Sequence, residues 1–347
     1  MNFRSDNESP AAPEILEALA HANRDSAHSY GADRYTAELQ TCFQELFECD
    51  LTVYPVATGT AANALCLGEL APPYGAVYCH SEAHIHVDEC GAPEFYSGGA
   101  KLIGLEGEHG RIVAETVNKT LAATGYHGEH ETAPAVLSLT QATEAGTLYA
   151  PAAVAELATI AKEAGMAVHM DGARFANALA TLGRSPADLS WRVGVDMLSF
   201  GATKNGAMMS EAVVDFRPTA ERPPHGSLRR RRMRGGHLLS KMRFLSVQLL
   251  AYVEDDLWLR LAAQANAGAA RLAEGLAALP GVRLAHPVEA NEVFAYLPEP
   301  LAEALAADGI EFHRWPSSDG IVARLVVPHC VAEADIAWVL TRATAAV

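Results

Sequence analysis

AVLSLTQATEAGTLYAPAAVAELATIAKEAGMAVHMD, residues 135–171, is the stretch whose reading decides the architecture. AVLSLT (135–140) and AVHMD (167–171) are apolar runs of strand length. Between them Val154, Leu157, Ile160, Ala161 and Ala164 form one helical stripe that starts after Pro151 and stops at Gly165. The same rhythm extends outward, because AVYC (76–79), DMLSFGAT (196–203) and EAVVDF (211–216) also read as buried strands. Strands alternating with longer amphipathic segments imply an α/β fold with a mostly parallel central sheet covered on both faces. Ligands in such sheets collect at the carboxyl ends of the strands, where the loops begin.

Past residue 245 the rhythm changes. A long Ala/Leu-rich helical stretch (247–279) ends at a Pro-Gly pair, and VRLA, NEVFAYL, a short helix, IEFHRW, IVARLVV and a last helix follow. The expected division is an N-terminal arm and large domain over 1–245, then a smaller α+β domain over 246–347. A chain of 347 residues, half of them apolar, is long enough for both.

Composition narrows the setting. A net charge of −16 argues against nucleic-acid partners and against attraction to anionic membranes. The six cysteines contain no C-x-x-C pair and read as reduced thiols of a cytoplasmic protein. MNFRSDNESP at the N-terminus has no apolar leader core, and no apolar run approaches a membrane span. The basic run SLRRRRMRGG (227–236) stands out in this acidic chain. A solvated loop or a nucleic-acid patch is the ordinary reading of such a run. A phosphate contact across a subunit interface fits better, since the rest of the chain repels polyanions.

Lysine is scarce, at positions 101, 119, 162, 204 and 241 only. Lys162 lies on the polar side of the 151–164 helix and Lys119 in a polar stretch, so both are expected in solvent. Lys204 follows a buried strand and is flanked by small residues, where an amine loses hydration and its pKa falls. That is the form Schiff-base chemistry with a carbonyl cofactor needs. Asp171 ends the strand AVHMD and opens DGAR; it is either a helix cap or a carboxylate set against a cofactor nitrogen, with Arg174 close by. ATGTAANAL (57–65) reads as a strand end, a Gly/Thr turn and a helix start, where free N–H groups and the Thr58 and Thr60 hydroxyls would hold a phosphate.

HSEAHIHVDE (80–89) admits a rival chemistry. On a strand His84, His86 and Asp88 share a side; on a helix His80, His84 and Asp88 do. His-x-His-x-Asp also opens the metal site of several zinc hydrolases, yet no later His/Asp cluster supplies the remaining ligands.

A phosphate cradle, an aspartate ending one strand and a lysine after another is the order found in fold-type-I pyridoxal-phosphate enzymes. NFRSDN, SYGAD (29–33), ATGTAAN, AHIHVDECGA (83–92), HMDGAR (169–174), SFGATKNGA (199–207) and ARLVVPH (323–329) resemble, in order, the motifs of low-specificity L-threonine aldolases. The resemblance runs from about Asn2 into the C-terminal domain. It implies the aspartate-aminotransferase-like fold of the pyridoxal-phosphate-dependent transferases, with pyridoxal 5'-phosphate carried by Lys204 and Asp171 on the ring nitrogen. Thr58, Gly59, Thr60 and Thr203 fall at cofactor-binding positions. Ser5, Tyr30, Arg174 and Arg324 fall at substrate positions, the arginines matching those that grip the carboxylate. His84 matches the histidine beside the cofactor ring, so no metal is expected. The implied reaction is retro-aldol cleavage of a β-hydroxy-α-amino acid to glycine and an aldehyde, in a homodimer or homotetramer with shared active sites.

Two departures carry consequences. Where the family often has a second histidine, LTQATEAG places Thr143, leaving His84, or a water held by His84 and Thr143, as the expected base. This change also suits bulkier substrates such as phenylserine. Where the family has an arginine reaching a neighbouring subunit's phosphate, GGHLLSK places Leu239, so Arg232, Arg234 or Lys241 is expected to take over. A β-eliminating lyase or an aminotransferase on the same scaffold, and a metal-dependent hydrolase built on His80–Asp88, are the alternatives.

Overall fold

The computed structural model describes residues 1–218, 227–317 and 320–347. Seven strands, β1 (Thr52–Val56), β2 (Gly75–His80), β3 (Lys101–Leu105), β4 (Ala133–Thr140), β5 (Ala167–Gly172), β6 (Met197–Gly201) and β7 (Glu211–Asp215), form the central sheet. Their order is β1-β7-β6-β5-β4-β2-β3. Only β7 runs against its neighbours; the pairs from β6 across to β3 are parallel. The expected strands over 76–79, 135–140, 167–171 and 211–216 are there. β1, of which the sequence shows only the end before the Thr58–Thr60 turn, and β3, which the periodicity does not reveal, are the two edges. Each is half covered, and β1 contains Pro55, a residue that sheets confine to edges.

The stripe after Pro151 is the helix Pro151–Glu163, with Pro at its first turn and Val154, Leu157, Ala158 and Ala161 buried. The run DMLSFGAT stops being a strand at Gly201. There a Cβ would lie 2.4 Å from the Ala173 carbonyl oxygen, so only glycine lets the two segments cross this closely. A short 3₁₀ turn, Thr203–Asn205, follows and closes on Gly206 at φ +109.

The long helical stretch expected over 247–279 is two helices, Arg243–Val253 and Leu257–Ala277. Between them Asp255 and Asp256 take φ 47 and 55, which ends the first helix. Beyond lies a four-stranded antiparallel sheet of β8 (Arg283–Leu284), β9 (Glu292–Leu297), β10 (His313–Ser317) and β11 (Gly320–Val326), in the order β10-β11-β9-β8.

Apolar side chains gather in two principal cores. The larger packs Phe43, Phe47, Phe175 and Phe200 with Leu249, Tyr252 and Trp258, so residues just past 245 belong to it. The smaller joins Leu272, Leu276, Val293, Leu325 and Val339 to Phe3 of the N-terminal arm. Helix Leu257–Ala277 carries residues of both. The arm is stitched in place: the Phe3 N–H donates to the Glu311 carbonyl and the Val326 N–H to the Phe3 carbonyl, both at 2.8 Å. Among the described residues no helix is long and apolar enough to cross a membrane.

Candidate active site

Strand register builds one functional edge. Val56 pairs with Glu211, Glu211 with Gly201, Ser199 with Asp171 and Asp171 with Thr140, all at the same end of the sheet. Over that end opens a cavity of ≈ 990 Å³, roofed by residues of the four-stranded sheet. It brings together Lys204, Asp171, His84, Thr58, Gly59, Thr60 and Thr203, and with them Ser5, Arg174 and Arg324.

The helix Gly59–Leu70 points its start into this cavity. Thr58 is its N-cap, its hydroxyl accepting the Ala61 N–H at 3.1 Å and its carbonyl accepting Ala62 N–H. The Gly59 and Thr60 N–H groups keep no partner among the described residues, and a Cβ on Gly59 would meet no atom within 4 Å. Open amides at the positive end of a twelve-residue helix suit a phosphate.

Asp171 is buried at the end of β5. One carboxylate oxygen accepts the Ala173 N–H at 2.9 Å and the other the Asn63 amide at 2.7 Å. The helix that follows is capped at Arg174, so Asp171 is no helix cap. The Asn63 amide also donates to Glu89 Oε1 at 2.8 Å, the same oxygen that His84 Nδ1 meets at 2.9 Å. A polar chain therefore links His84 to Asp171. The Glu89 hydrogen bond holds the His84 pKa above its ordinary value.

The rival metal reading is not assembled. His80 ends β2, and only His84–Val87 is helical, so the shared face drawn from the sequence does not arise. His80 Nε2 meets the Gly107 carbonyl at 3.0 Å, His86 Nδ1 meets the Ser81 carbonyl at 3.0 Å, and Asp88 is exposed. Among the described residues no group of three or more His, Cys, Asp or Glu converges as a metal site.

The two arginines differ. Arg174 is buried and fully engaged: Nε and Nη2 donate to the two Asp6 oxygens at 2.8 and 3.0 Å, and Nη1 lies 3.0 Å from Glu292 Oε2. Arg324 donates Nε and Nη2 to Glu292 Oε1 at 3.1 and 2.8 Å, leaving Nη1 for a ligand in the cavity. Burial alone would raise the Asp6 pKa, yet Arg174 holds this carboxyl below the usual range.

Two carboxylates lining the cavity escape sequence reasoning. Glu211 accepts the Ala202 and Thr203 N–H groups at 2.9 and 3.3 Å and so pins the turn that carries Lys204; burial pushes its pKa up to about 7. Glu144 Oε1 accepts the His84 N–H at 2.8 Å and the Thr140 hydroxyl at 3.0 Å, while Oε2 is buried without a partner. Burial pushes the Glu144 pKa up to about 7 as well.

Five residues expected here lie elsewhere in this chain. Thr143, one position before Glu144, is fully buried with its hydroxyl 2.8 Å from that of Thr147, and it does not line the cavity. Tyr30 is exposed and donates its N–H to the Ser240 carbonyl at 3.0 Å, which sets SYGAD beside the segment after the basic run. Arg232 is buried, with its guanidinium 5.1 Å from the Tyr54 ring centroid; burial pushes its pKa down to about 10. Arg234 and Lys241 are exposed. None of the five lines the cavity. Part of its wall comes from β9 and β10, where Phe294 and Trp315 stack with ring centroids 6.3 Å apart and planes 10° from parallel.

The beta-eliminating lyase family model matches residues 2–300. Low specificity L-threonine aldolases from Pseudomonas aeruginosa and Pseudomonas sp. are 45% and 43% identical to it over 319 residues, 92% of this chain and 90% of each relative. A solved structure of Leishmania major threonine aldolase superposes with a TM-score of 0.92 at 27% identity, covering 99% of this chain and 98% of that one.

Proposed function

Since the chain belongs to the beta-eliminating lyase family and, within it, to the low-specificity L-threonine aldolases, we propose that it cleaves L-threonine, L-allo-threonine and related β-hydroxy-α-amino acids to glycine and an aldehyde. One observation carries this reading: an amine, a buried carboxylate, an open helix start and an imidazole meet in a single cavity. Those groups fit pyridoxal phosphate. When bound, it supplies an electron-withdrawing ring that stabilises the pair left on Cα when a substrate bond breaks.

This chain's own residues do the rest. The Gly59 and Thr60 amides hold the phosphate, with Thr58 fixing their turn. Lys204 is the covalent anchor, presented on a turn that Glu211 holds from behind. Asp171, oriented by Asn63 and the Ala173 N–H, keeps a proton on the ring nitrogen. Arg324 offers its spare Nη1 to the substrate carboxylate beside Ser5, while Arg174, spent on Asp6 and Glu292, sets the position of Arg324 through Glu292. Anchoring the carboxylate fixes which bond at Cα lies across the ring, and so which one breaks. The Phe294–Trp315 wall favours aromatic β-substituents such as that of phenylserine.

The holoenzyme incubated with L-threonine should release acetaldehyde and glycine in equal amounts. Keto-acid production instead would mean an aminotransferase or a β-eliminating lyase. Tyr30, Arg232, Arg234 and Lys241 fit a shared site in a homodimer or homotetramer, in which one of the three basic residues reaches the neighbouring cofactor phosphate. Substituting each in turn and measuring cofactor affinity checks this; no loss from any of the three refutes it. Six free cysteines suit a cytoplasmic setting.

A further inference from the structure

We propose that Glu144 is the catalytic base that takes the β-hydroxyl proton of the substrate, a role that rests on the aldolase reading above. Three observations carry it. Glu144 lines the same cavity as Lys204 and His84. Its Oε1 is fixed by the His84 N–H and the Thr140 hydroxyl, so the carboxylate cannot swing away. Its Oε2 is buried and has no partner, and a buried lone acceptor persists in a fold at a cost that a reacting proton would relieve.

The neighbouring groups leave few other bases. Glu89 on Nδ1 holds the His84 pKa above its ordinary value and leaves Nε2 open, so His84 is the rival base that the test below must separate from Glu144. Thr143 bonds to the Thr147 hydroxyl and does not line the cavity. Asp171 is tied to Asn63 and the Ala173 N–H, Glu211 to two backbone amides, and Glu89 through Oε1 to Asn63 and His84, although its Oε2 is buried without a partner too. A carboxyl whose pKa burial has brought to about 7 is also matched to general-base work at neutral pH.

The step balances without oxidant or reductant. Glu144 takes the proton from oxygen, and the O–H pair becomes the second bond of the aldehyde carbonyl. The Cα–Cβ bond breaks, its pair stays with Cα, and one proton returns there to give glycine. Glu144 then loses its proton to solvent.

The test uses Glu144→Gln, an isostere whose amide oxygen still accepts the His84 N–H. Two reactions of the holoenzyme are compared: cleavage of L-threonine, and exchange of the glycine α-proton with deuterated water, which involves no hydroxyl. The expected result is a fall in cleavage of about 10²–10⁴-fold, with exchange, KM and the visible absorption of bound cofactor within about threefold of wild type. The acid limb of the kcat profile near pH 7 should vanish with it. The proposal is overturned if cleavage falls less than tenfold further than exchange does, because Glu144 is then at most a prop for His84. Should Glu144→Gln fail to fold, Glu144→Asp is read by the same ratio. A wild-type enzyme that exchanges glycine but makes no acetaldehyde sinks the aldolase reading as well; an active wild type with an equally active variant sinks this inference alone.

Discussion

Lys204 stands on a three-residue turn, half-buried, where Glu211 fixes the two amides before it. Borohydride reduction of the holoenzyme followed by peptide mapping should label this lysine and no other, and Lys204→Ala should abolish both visible absorption and cleavage. His169 gives a second residue-scale expectation. It sits between the Ser138 and Ser199 hydroxyls, at 2.9 and 3.0 Å, and burial pushes its pKa down to about 4 from 6.5. The unfolded chain takes up this proton first as pH falls. The stability contributed by the neutral ring is therefore whole above about pH 6.5 and drains away towards pH 4, roughly 3 kcal/mol in all. His169→Asn should flatten the fall in urea-unfolding free energy between pH 7 and pH 5, though it starts lower. Lys204 and Asp171 stood out in the chain because one follows and the other ends a buried apolar run, whereas His84 was named through the family resemblance. Thr143 was named from its place in the family motif, without support from any period. The segment after β4 is irregular, and without a period nothing in the sequence says which of two adjacent side chains faces the cavity.

At the scale of elements, the helix Gly59–Leu70 is scaffold and, on the proposed reading, anion site as well. Thr58→Ala removes the side-chain acceptor of the Ala61 N–H and should cost about 1 kcal/mol of stability by urea unfolding, together with weaker cofactor retention. Thr58→Ser should restore both. The strands flanked on both sides announce themselves as apolar runs, whereas β1 and β3 do not, since an edge strand is covered on fewer sides and tolerates Pro55 or Lys101. The break between Val253 and Leu257 was equally hidden. Glu254, Asp255 and Asp256 are polar residues that any solvent-facing helix could carry, and only the backbone reveals that two of them take left-handed angles.

Across the whole molecule, the cavity is closed by a buried ion network whose members lie far apart in the chain. Asp6 and Glu292 face Arg174 and Arg324, two carboxylates against two guanidinium groups. Asp6→Asn leaves Arg174 with a single buried counter-charge and should destabilise the fold by about 3–5 kcal/mol, measured by urea unfolding of the cofactor-loaded protein. No local pattern predicts this pairing. The arginines were legible as anion binders, but the anions that occupy them sit 168 positions away in one case and on β9 in the other. The same arm carries a consequence for biosynthesis. Phe3 is sealed against Val326, and Asp6 receives the Asn291 amide across 285 positions of sequence. On the ribosome the arm around Phe3 and Asp6 must wait, unhoused, until Asn291 and Val326 have been translated. The cavity is thus finished only once β9 and β11 have been made, and a chain cut before Glu292 leaves Arg174 with Asp6 alone as its counter-charge.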